Sequence, residues 1–329
     1  MKTVLTALLA ICLCLPLMGD DAAKKKFEKM KALAMKGSVV AQYNLGRMYR
    51  DGDGVFKNHK EAVKWYRKAS EQGYADAQYN LGVMYDDGEG VPQDFKEAAK
   101  WYRKAAEQGY ADAQYNLGVM YDKGEGVLED DKEAVKWFRK AAEQGRASAQ
   151  FNLGNMYASG RGAQKDFKEA VKCWREAAKQ GHASAQFNLG HAYYQGKGVP
   201  KDFKAAMKWY RKSAKQGDAT AQYQVGLIYE KGQGVEVDFK EAVKWYRKAA
   251  EQGFVDAQIN LGVMYFEGQG VLDDVTAYAW WNIAAANGSA TGKKNKDIIA
   301  KRMTADQIAE GQKLSREMIK KNPKLLNKK

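Results

Sequence analysis

Cysteine, histidine and proline are scarce: the 329-residue chain holds 3 Cys, 3 His and 4 Pro. Cys12 and Cys14 fall in a segment argued below to be removed, which leaves Cys173 alone and excludes an intramolecular disulfide framework. His59, His182 and His191 include no i, i+4 pair and no cysteine partner at ligand spacing, so the usual zinc motifs are missing. With so little proline the chain is neither collagen-like nor a polyproline rod. The longest unbroken apolar run, Ala7 to Met18, is shorter than the ~20 residues of a membrane-spanning helix. What remains is globular in character: 45% hydrophobic residues, with 8 Trp, 19 Tyr and 11 Phe to fill an extended core.

Lys2 precedes an uncharged stretch, Ala7 to Met18, with the length and polarity of the apolar part of an export signal. Gly19 suits the position before a cleavage site, whereas Leu17 is larger than the residue usual there. Residues 1–19 are therefore expected to be a cleaved signal peptide. The mature chain would begin near Asp20, periplasmic or secreted and without a transmembrane anchor. Ile11 and Leu13 are not the small residues that precede a lipid-bearing cysteine; a retained N-terminal anchor is the other reading.

The dominant feature is an internal repeat. Gly37, Gly73, Gly109, Gly145, Gly181, Gly217 and Gly253 stand 36 residues apart, and seven Ala-Gln pairs from Ala41-Gln42 to Ala257-Gln258 keep the same phase. The register reads as free of insertions and deletions.

One unit, Gly73 to Gln108, explains the period. Ala77, Leu81 and Tyr85 form an apolar stripe on a first helix, helix A, and Gly82 lets a neighbouring helix approach closely. The glycines of Asp87-Gly88-Glu89-Gly90 turn the chain, with Val91 over the core edge. Asp94 and Glu97 have capping-box spacing and open helix B, whose stripe is Ala98, Trp101, Tyr102, Ala105 and Ala106. Gly109 supplies the left-handed stop. Neither helix can bury its stripe alone, so successive hairpins must stack.

The motifs Ala-x3-Leu-Gly-x2-Tyr, Gly-x-Gly-Val, Asp-x-Lys-Glu-Ala and Trp-Tyr-x-Lys-Ala-Ala-x-x-Gly resemble the Sel-one-like repeat family, a relative of the tetratricopeptide repeat, from about Gly37 to Gly288. A tetratricopeptide repeat proper fits less well: its period is 34, it lacks the Gly-x-Gly turn, and it carries Trp where Gln78 stands. The expected fold is all-α, a right-handed α-solenoid of seven 36-residue helix-turn-helix repeats (37–288). An N-terminal capping helix (20–36) precedes them, and basic C-terminal capping helices and tail (289–329) follow. With the export signal, the resemblance implies an exported, non-enzymatic scaffold or adaptor of the bacterial cell envelope, with a protein or peptide partner and no cofactor. Some relatives carry a β-lactamase label and are cysteine-rich. This chain has neither their disulfides nor a Ser-x-x-Lys, so a cell-wall or β-lactam amide hydrolase is the alternative function.

At the ends, Lys24 to Lys36 align with the second half of a helix B, with Leu33 and Ala34 expected on the buried side. In the last unit Tyr278, Trp280, Trp281 and Ile283 form an apolar surface. It is expected to be covered by a helix over Lys293 to Met303 and by another opened by Thr304-x-x-Gln307 and running toward Pro323.

Catalytic signatures are sparse. There is no Gly-x-Ser-x-Gly, and none of the 8 serines has Lys three residues later. The glycine pairs Gly88/Gly90, Gly124/Gly126, Gly160/Gly162, Gly196/Gly198, Gly232/Gly234 and Gly268/Gly270 follow helices instead of strands and read as turns, not phosphate loops. Trp65, Trp101, Trp137, Trp209, Trp245 and Trp281 share one phase and read as core; Cys173 has the same phase and is expected to be a buried, inert thiol.

Residues repeated in every unit serve folding and stacking, so a partner is expected where units differ. The helix-A face Asp76, Asn80, Val83, Asp87 changes from unit to unit. Its row on the expected concave surface comprises Asn44, Arg47, Asn80, Asn116, Asn152, Asn155, Asn188, His191, Gln224 and Asn260. Such amides can hold the backbone of an extended peptide, or they can bond neighbouring repeats to one another. Charge is also local. Of the net +14, residues 146–217 hold 14 basic against 4 acidic side chains. The candidate basic patch is Arg146, Lys165, Lys168, Lys172, Arg175, Lys179, Lys201, Lys208, Arg211 and Lys212. It suits an acidic protein or an anionic envelope polymer, or is simply a solvated face. Nucleic acid is not the expected partner of an exported chain.

Export is directly testable. N-terminal sequencing of protein recovered outside the cytoplasm should read from near Asp20. Full-length chain confined to the cytosol would contradict the signal assignment.

Overall fold

The computed structural model describes residues 21–269 and 272–327; the expected signal peptide and Gly270 lie outside them. The described residues form 17 α-helices and one short 3-10 helix, with no strand. They fall into two compact units, up to Ala141 and from Ala142 onward. The first holds α1 (Asp21–Met35), α2 (Val39–Asp51), α3 (His59–Glu71), α4 (Ala75–Asp87), α5 (Phe95–Glu107), α6 (Ala111–Lys123) and most of α7 (Asp131–Glu143). The second continues with α8 (Ala147–Ser159), α9 (Phe167–Lys179), α10 (Ala183–Gln195), α11 (Phe203–Lys215), α12 (Ala219–Lys231), α13 (Phe239–Ala250), α14 (Val255–Phe266) and α15 (Asp274–Ala286). It ends with α16 (Ala290–Ala300), α17 (Ala305–Lys321) and the turn Pro323–Leu325. Helices α2 to α15 make seven A/B hairpins, and from α1 to α6 and from α8 to α16 each helix packs on those next to it in sequence. The chain is thus an all-α repeat protein built from neighbour contacts, as a solenoid is.

Each repeated residue type has a mechanical task. Gly88 takes φ 71° and closes α4 through its N–H to the Met84 carbonyl. Gly90, at φ 74°, does more: a Cβ there would stand 2.4 Å from the carbonyl carbon of His59, at the start of the previous helix B. The second turn glycine is therefore a stacking residue. Asp94 accepts from the backbone N–H groups of Lys96 and Glu97 at 2.9 and 3.1 Å. The reciprocal half of the expected capping box is not made. The Asp94 N–H already donates to the Tyr85 carbonyl at 2.9 Å, and Glu97 turns to Lys100 instead. The box does close at Thr304 and Gln307, whose bonds measure 2.9 and 3.3 Å.

Inside each hairpin, helix A presents a glycine to an aromatic ring of helix B. A Cβ on Gly82 would lie 2.6 Å from Tyr102 Cδ1, and Gly46, Gly118, Gly154, Gly190 and Gly226 meet Tyr66, Phe138, Trp174, Tyr210 and Tyr246 in the same way. In the seventh hairpin Gly262 meets Trp281. Its A–B loop is one residue shorter, since the helix-B caps Asp238 and Asp273 are 35 apart. The assumed uninterrupted register fails here: Trp281 belongs to the tyrosine column and Trp280 takes the tryptophan place. Trp65, Trp101, Trp137 and Trp245 are buried, as core residues should be, while Trp209 is half-buried. Cys173 is also only half-buried, contrary to expectation, because a thiol fills far less of the site than an indole.

Between hairpins runs a column of amides. Gln78, 4% exposed, donates to the Ser70 carbonyl of the previous helix B at 3.1 Å and accepts from Gln108 of its own helix B at 2.7 Å. Gln42, Gln150, Gln186 and Gln222 repeat both bonds, with Gln72, Gln180, Gln216 and Gln252 as donors. A buried primary amide left unpaired costs more than an ordinary hydrogen bond contributes, so the column fixes the stacking register.

The ends behave as caps with one exception. Phe27 and Ala34 of α1 are buried, but Leu33 is 41% exposed; among the described residues the helix that α1 packs on is α2. Tyr278, Trp280, Trp281 and Ile283 are covered by α16 and α17. Helix α16 starts at Ala290, three residues before the expected Lys293, because Ser289 caps it. The tail then returns to the amide column: Gln258 and Asn287 both donate to the Leu325 carbonyl, at 2.9 and 2.8 Å.

Two substitutions test this account. Gly82→Leu should overpack the Tyr102 contact and cost on the order of 1–3 kcal/mol or more, whereas Lys100→Ala should stay within about 0.5. Gln78→Ala should cost about 1–3 kcal/mol, because the Ser70 carbonyl and the Gln108 amide lose their partner. Thermal melting followed by circular dichroism reads both; equal effects of the glycine and lysine changes, or an unchanged melt for Gln78→Ala, would refute the packing scheme.

Candidate functional site

The helix-A row is distributed over the two units, and several of its amides are engaged inside the protein. Asn80 accepts from Arg50 of the preceding hairpin at 2.8 Å and donates to its own Asp76 carbonyl at 2.7 Å. The Tyr102 hydroxyl, which Asn116 influences from the following helix, donates to Asp86 at 3.1 Å. Burial pushes Tyr102 well above the ordinary tyrosine range, with the Asp86 charge adding to it. Burial also raises Asp86, against the opposing bond from Tyr102. Asn260 lies 3.4 Å from the Tyr246 hydroxyl, which donates to Glu230. Asn155 accepts from both Trp174 and Asn188 at 3.0 Å. His191 sits 3.2 Å from the Tyr210 hydroxyl and stacks on Phe187. Burial, and then the charge of Lys197, lower its pKa, so it stays neutral at physiological pH. The structure therefore makes bonds between neighbouring repeats at Asn80, Asn155, Asn188 and Asn260. Asn44 and the exposed Arg47 line a small cleft with Met30 and Asp51, and Asn152 and Gln224 are half-buried on α8 and α12.

The basic candidates all lie in the second unit. Lys168, Lys172, Arg175 and Lys179 are on α9, and Lys208, Arg211 and Lys212 on α11. Arg146, Lys165 and Lys201 stand just before α8, α9 and α11. Helix α9 is largely neutralised: Lys172 pairs with Glu169, Lys179 with Glu176 at 2.7 Å, and Arg175 donates to the Tyr193 hydroxyl at 3.2 Å. Lys165 and Lys201 lie 5.4 and 4.7 Å from the rings of Phe167 and Phe203. Helix α11 is different. Ala205 and Lys215 occupy positions that are glutamate in most other helices B, a contrast that inspection of the motif Asp-x-Lys-Glu-Ala, here Asp202-Phe203-Lys204-Ala205-Ala206, would have revealed. Among the described residues no group of three or more His, Cys, Asp or Glu is arranged to hold a metal ion.

Comparison with known proteins agrees with the geometry. The Sel1 repeat model matches residues 39–74, 75–110, 111–145, 147–182, 183–218, 219–254 and 255–289, one match for each hairpin. The crystal structure of a Sel1 repeat protein from Oxalobacter formigenes is 35% identical, covers 83% of this chain and 80% of its own, and superposes with a TM-score of 0.67. A protective antigen of uropathogenic Escherichia coli with an SLR fold is 33% identical over 92% of this chain and 81% of its own, with a TM-score of 0.47. A putative sel1-like repeat-containing protein of Acanthamoeba polyphaga mimivirus is 40% identical over 53 residues, 16% of this chain and 9% of that protein. This chain thus spans less than a tenth of that curated relative. Seven matched repeats on seven hairpins establish that the chain belongs to the Sel1 repeat family.

Proposed function

We propose that the protein is an exported, non-enzymatic scaffold of the bacterial cell envelope that holds a protein or peptide partner on its repeat surface. Sel1 repeat proteins are generally protein-interaction scaffolds, and the seven repeats account for most of this chain. One observation carries the reading. The residues common to the units, namely the turn glycines, the helix-A glycine with its ring, and the glutamine column, are consumed in holding hairpins together. What remains free to differ is surface, and a varied surface on a rigid stack is what partner selection requires. Export rests on Lys2 and the Ala7 to Met18 stretch. Among the described residues no helix is long and apolar enough to cross a membrane. The 14 basic against 4 acidic residues of 146–217 match an acidic protein or an anionic envelope polymer.

Cross-linking in intact cells followed by mass spectrometry tests this function. It should recover the chain joined to a protein, and association measured with that protein should slow as salt rises, since exposed charges are screened over about 8 Å at physiological ionic strength. Nitrocefin turnover, or the recovery of uncoupled chain alone, would contradict it.

A further inference from the structure

We propose that the solvent-facing groove along α11 is the docking site for a short acidic segment of the protein partner. This rests on the scaffold reading above and gives it one place and one chemistry. The groove, about 500 Å³, is lined by Lys204, Met207, Lys208, Arg211, Lys212 and Lys215. The equivalent furrows on α3 and α13 use the same positions but include Glu71 in one and Glu241 and Glu251 in the other.

Three departures make the α11 groove unlike its counterparts. Glu61, Glu97, Glu133, Glu169 and Glu241 each pair with the lysine three residues on, Lys64, Lys100, Lys136, Lys172 and Lys244. Ala205 stands at that position in α11, so Lys208 has no such partner. Lys215 replaces the glutamate of Glu71, Glu107, Glu143 and Glu251. Finally, Arg67, Arg103, Arg175 and Arg247 each donate to a tyrosine hydroxyl of the following helix A, namely Tyr85, Tyr121, Tyr193 and Tyr265. Arg211 makes no such bond to Tyr229, and the residue is exposed. Lys212 keeps the place its equivalents have, 4.4 Å from the Trp209 ring centre.

The groove thus gathers five cations and no carboxylate. A free guanidinium presents a fork that binds a carboxylate through two parallel hydrogen bonds. From Lys204 to Lys215 the helix rises about 16 Å, enough for a segment bearing three or four acidic side chains. A protein segment is favoured over a polymer because the charge does not continue: glutamates return on α9 at Glu169 and Glu176 and on α13 at Glu241 and Glu251. A polyanionic chain needs a track, whereas a short peptide needs only this groove. Met207 and the lysine stems also give it an apolar floor for a side chain beside the carboxylates.

The test is fluorescence anisotropy with the full mature chain and a fluorescein-labelled peptide of Asp, Glu and one central Leu. The double change A205E/K215E restores glutamates that the other repeats tolerate and should weaken binding about tenfold or more, with an unchanged circular dichroism melt. K208Q/R211Q, which leaves those two positions alone, should give a similar loss. In the opposite direction, E241A/E251K/Y265F, which also releases Arg247 from its tyrosine, should create a second groove and raise the stoichiometry from one peptide to two. Unchanged affinity in both loss variants would overturn the proposal, as would inorganic polyphosphate occupying the same groove more tightly than the peptide. Either result leaves the scaffold reading standing; that reading fails separately if no protein is cross-linked in cells.

Discussion

A primary amide buried between helix ends is the constraint on which the rest of the structure depends. Each column glutamine must find an acceptor on the previous helix B and a donor on its own, as Gln78 does with Ser70 and Gln108. A one-residue slip between hairpins would orphan the amide in a site that water scarcely reaches, which explains why the 36-residue spacing of the Ala-Gln pairs is so strict. The seventh hairpin shows the same rule under altered conditions. Its helix B ends on Asn287, one methylene shorter than glutamine, and the tail supplies the Leu325 carbonyl to complete the set.

The hairpins, their caps and the turn glycines were legible in the sequence because each depends on residues close together in the chain. Asp94, Gly88 and Gly109 act within one turn of themselves, so their local chemistry predicts them. The features that escaped reading depend on distant or competing partners. Gln78 is met by a residue thirty positions on, and its role could not be read from one unit. Glu97 was expected to reach back to Asp94, but the backbone N–H it needed was already held by Tyr85 from the preceding helix. Leu33 follows the pattern of a buried residue, yet it is exposed on α1, whose helical packing partner among the described residues is α2.

The candidate site was half legible for the same reason. Counting charge points to a basic segment, but counting cannot tell a paired lysine from an open one. Lys172 and Lys179 face glutamates one turn away, and Arg175 is committed to Tyr193, whereas Lys208 and Arg211 lack those partners. Likewise the helical period puts the asparagine row on one helix face, but only the folded structure distinguishes an amide open to a peptide from one bonded to Arg50 or Trp174. Departures from the pattern also travel together. In α9 the tryptophan position is Cys173, and the lysine that elsewhere lies over the indole is Glu176; Lys104 over Trp101, at 4.4 Å, is the usual arrangement. A lysine without a ring beneath it loses its cation–π contact, so the paired change is physically coherent.

The central claim is that shared residues hold the stack while departures from the pattern receive the partner. It is tested most directly by placing a photo-cross-linking amino acid at two equivalent helix-B positions, Lys208 on α11 and Lys100 on α5, and irradiating intact cells. The account predicts a partner adduct from position 208 and none from position 100. Equal yields at the two, or an adduct from position 100 alone, would contradict it.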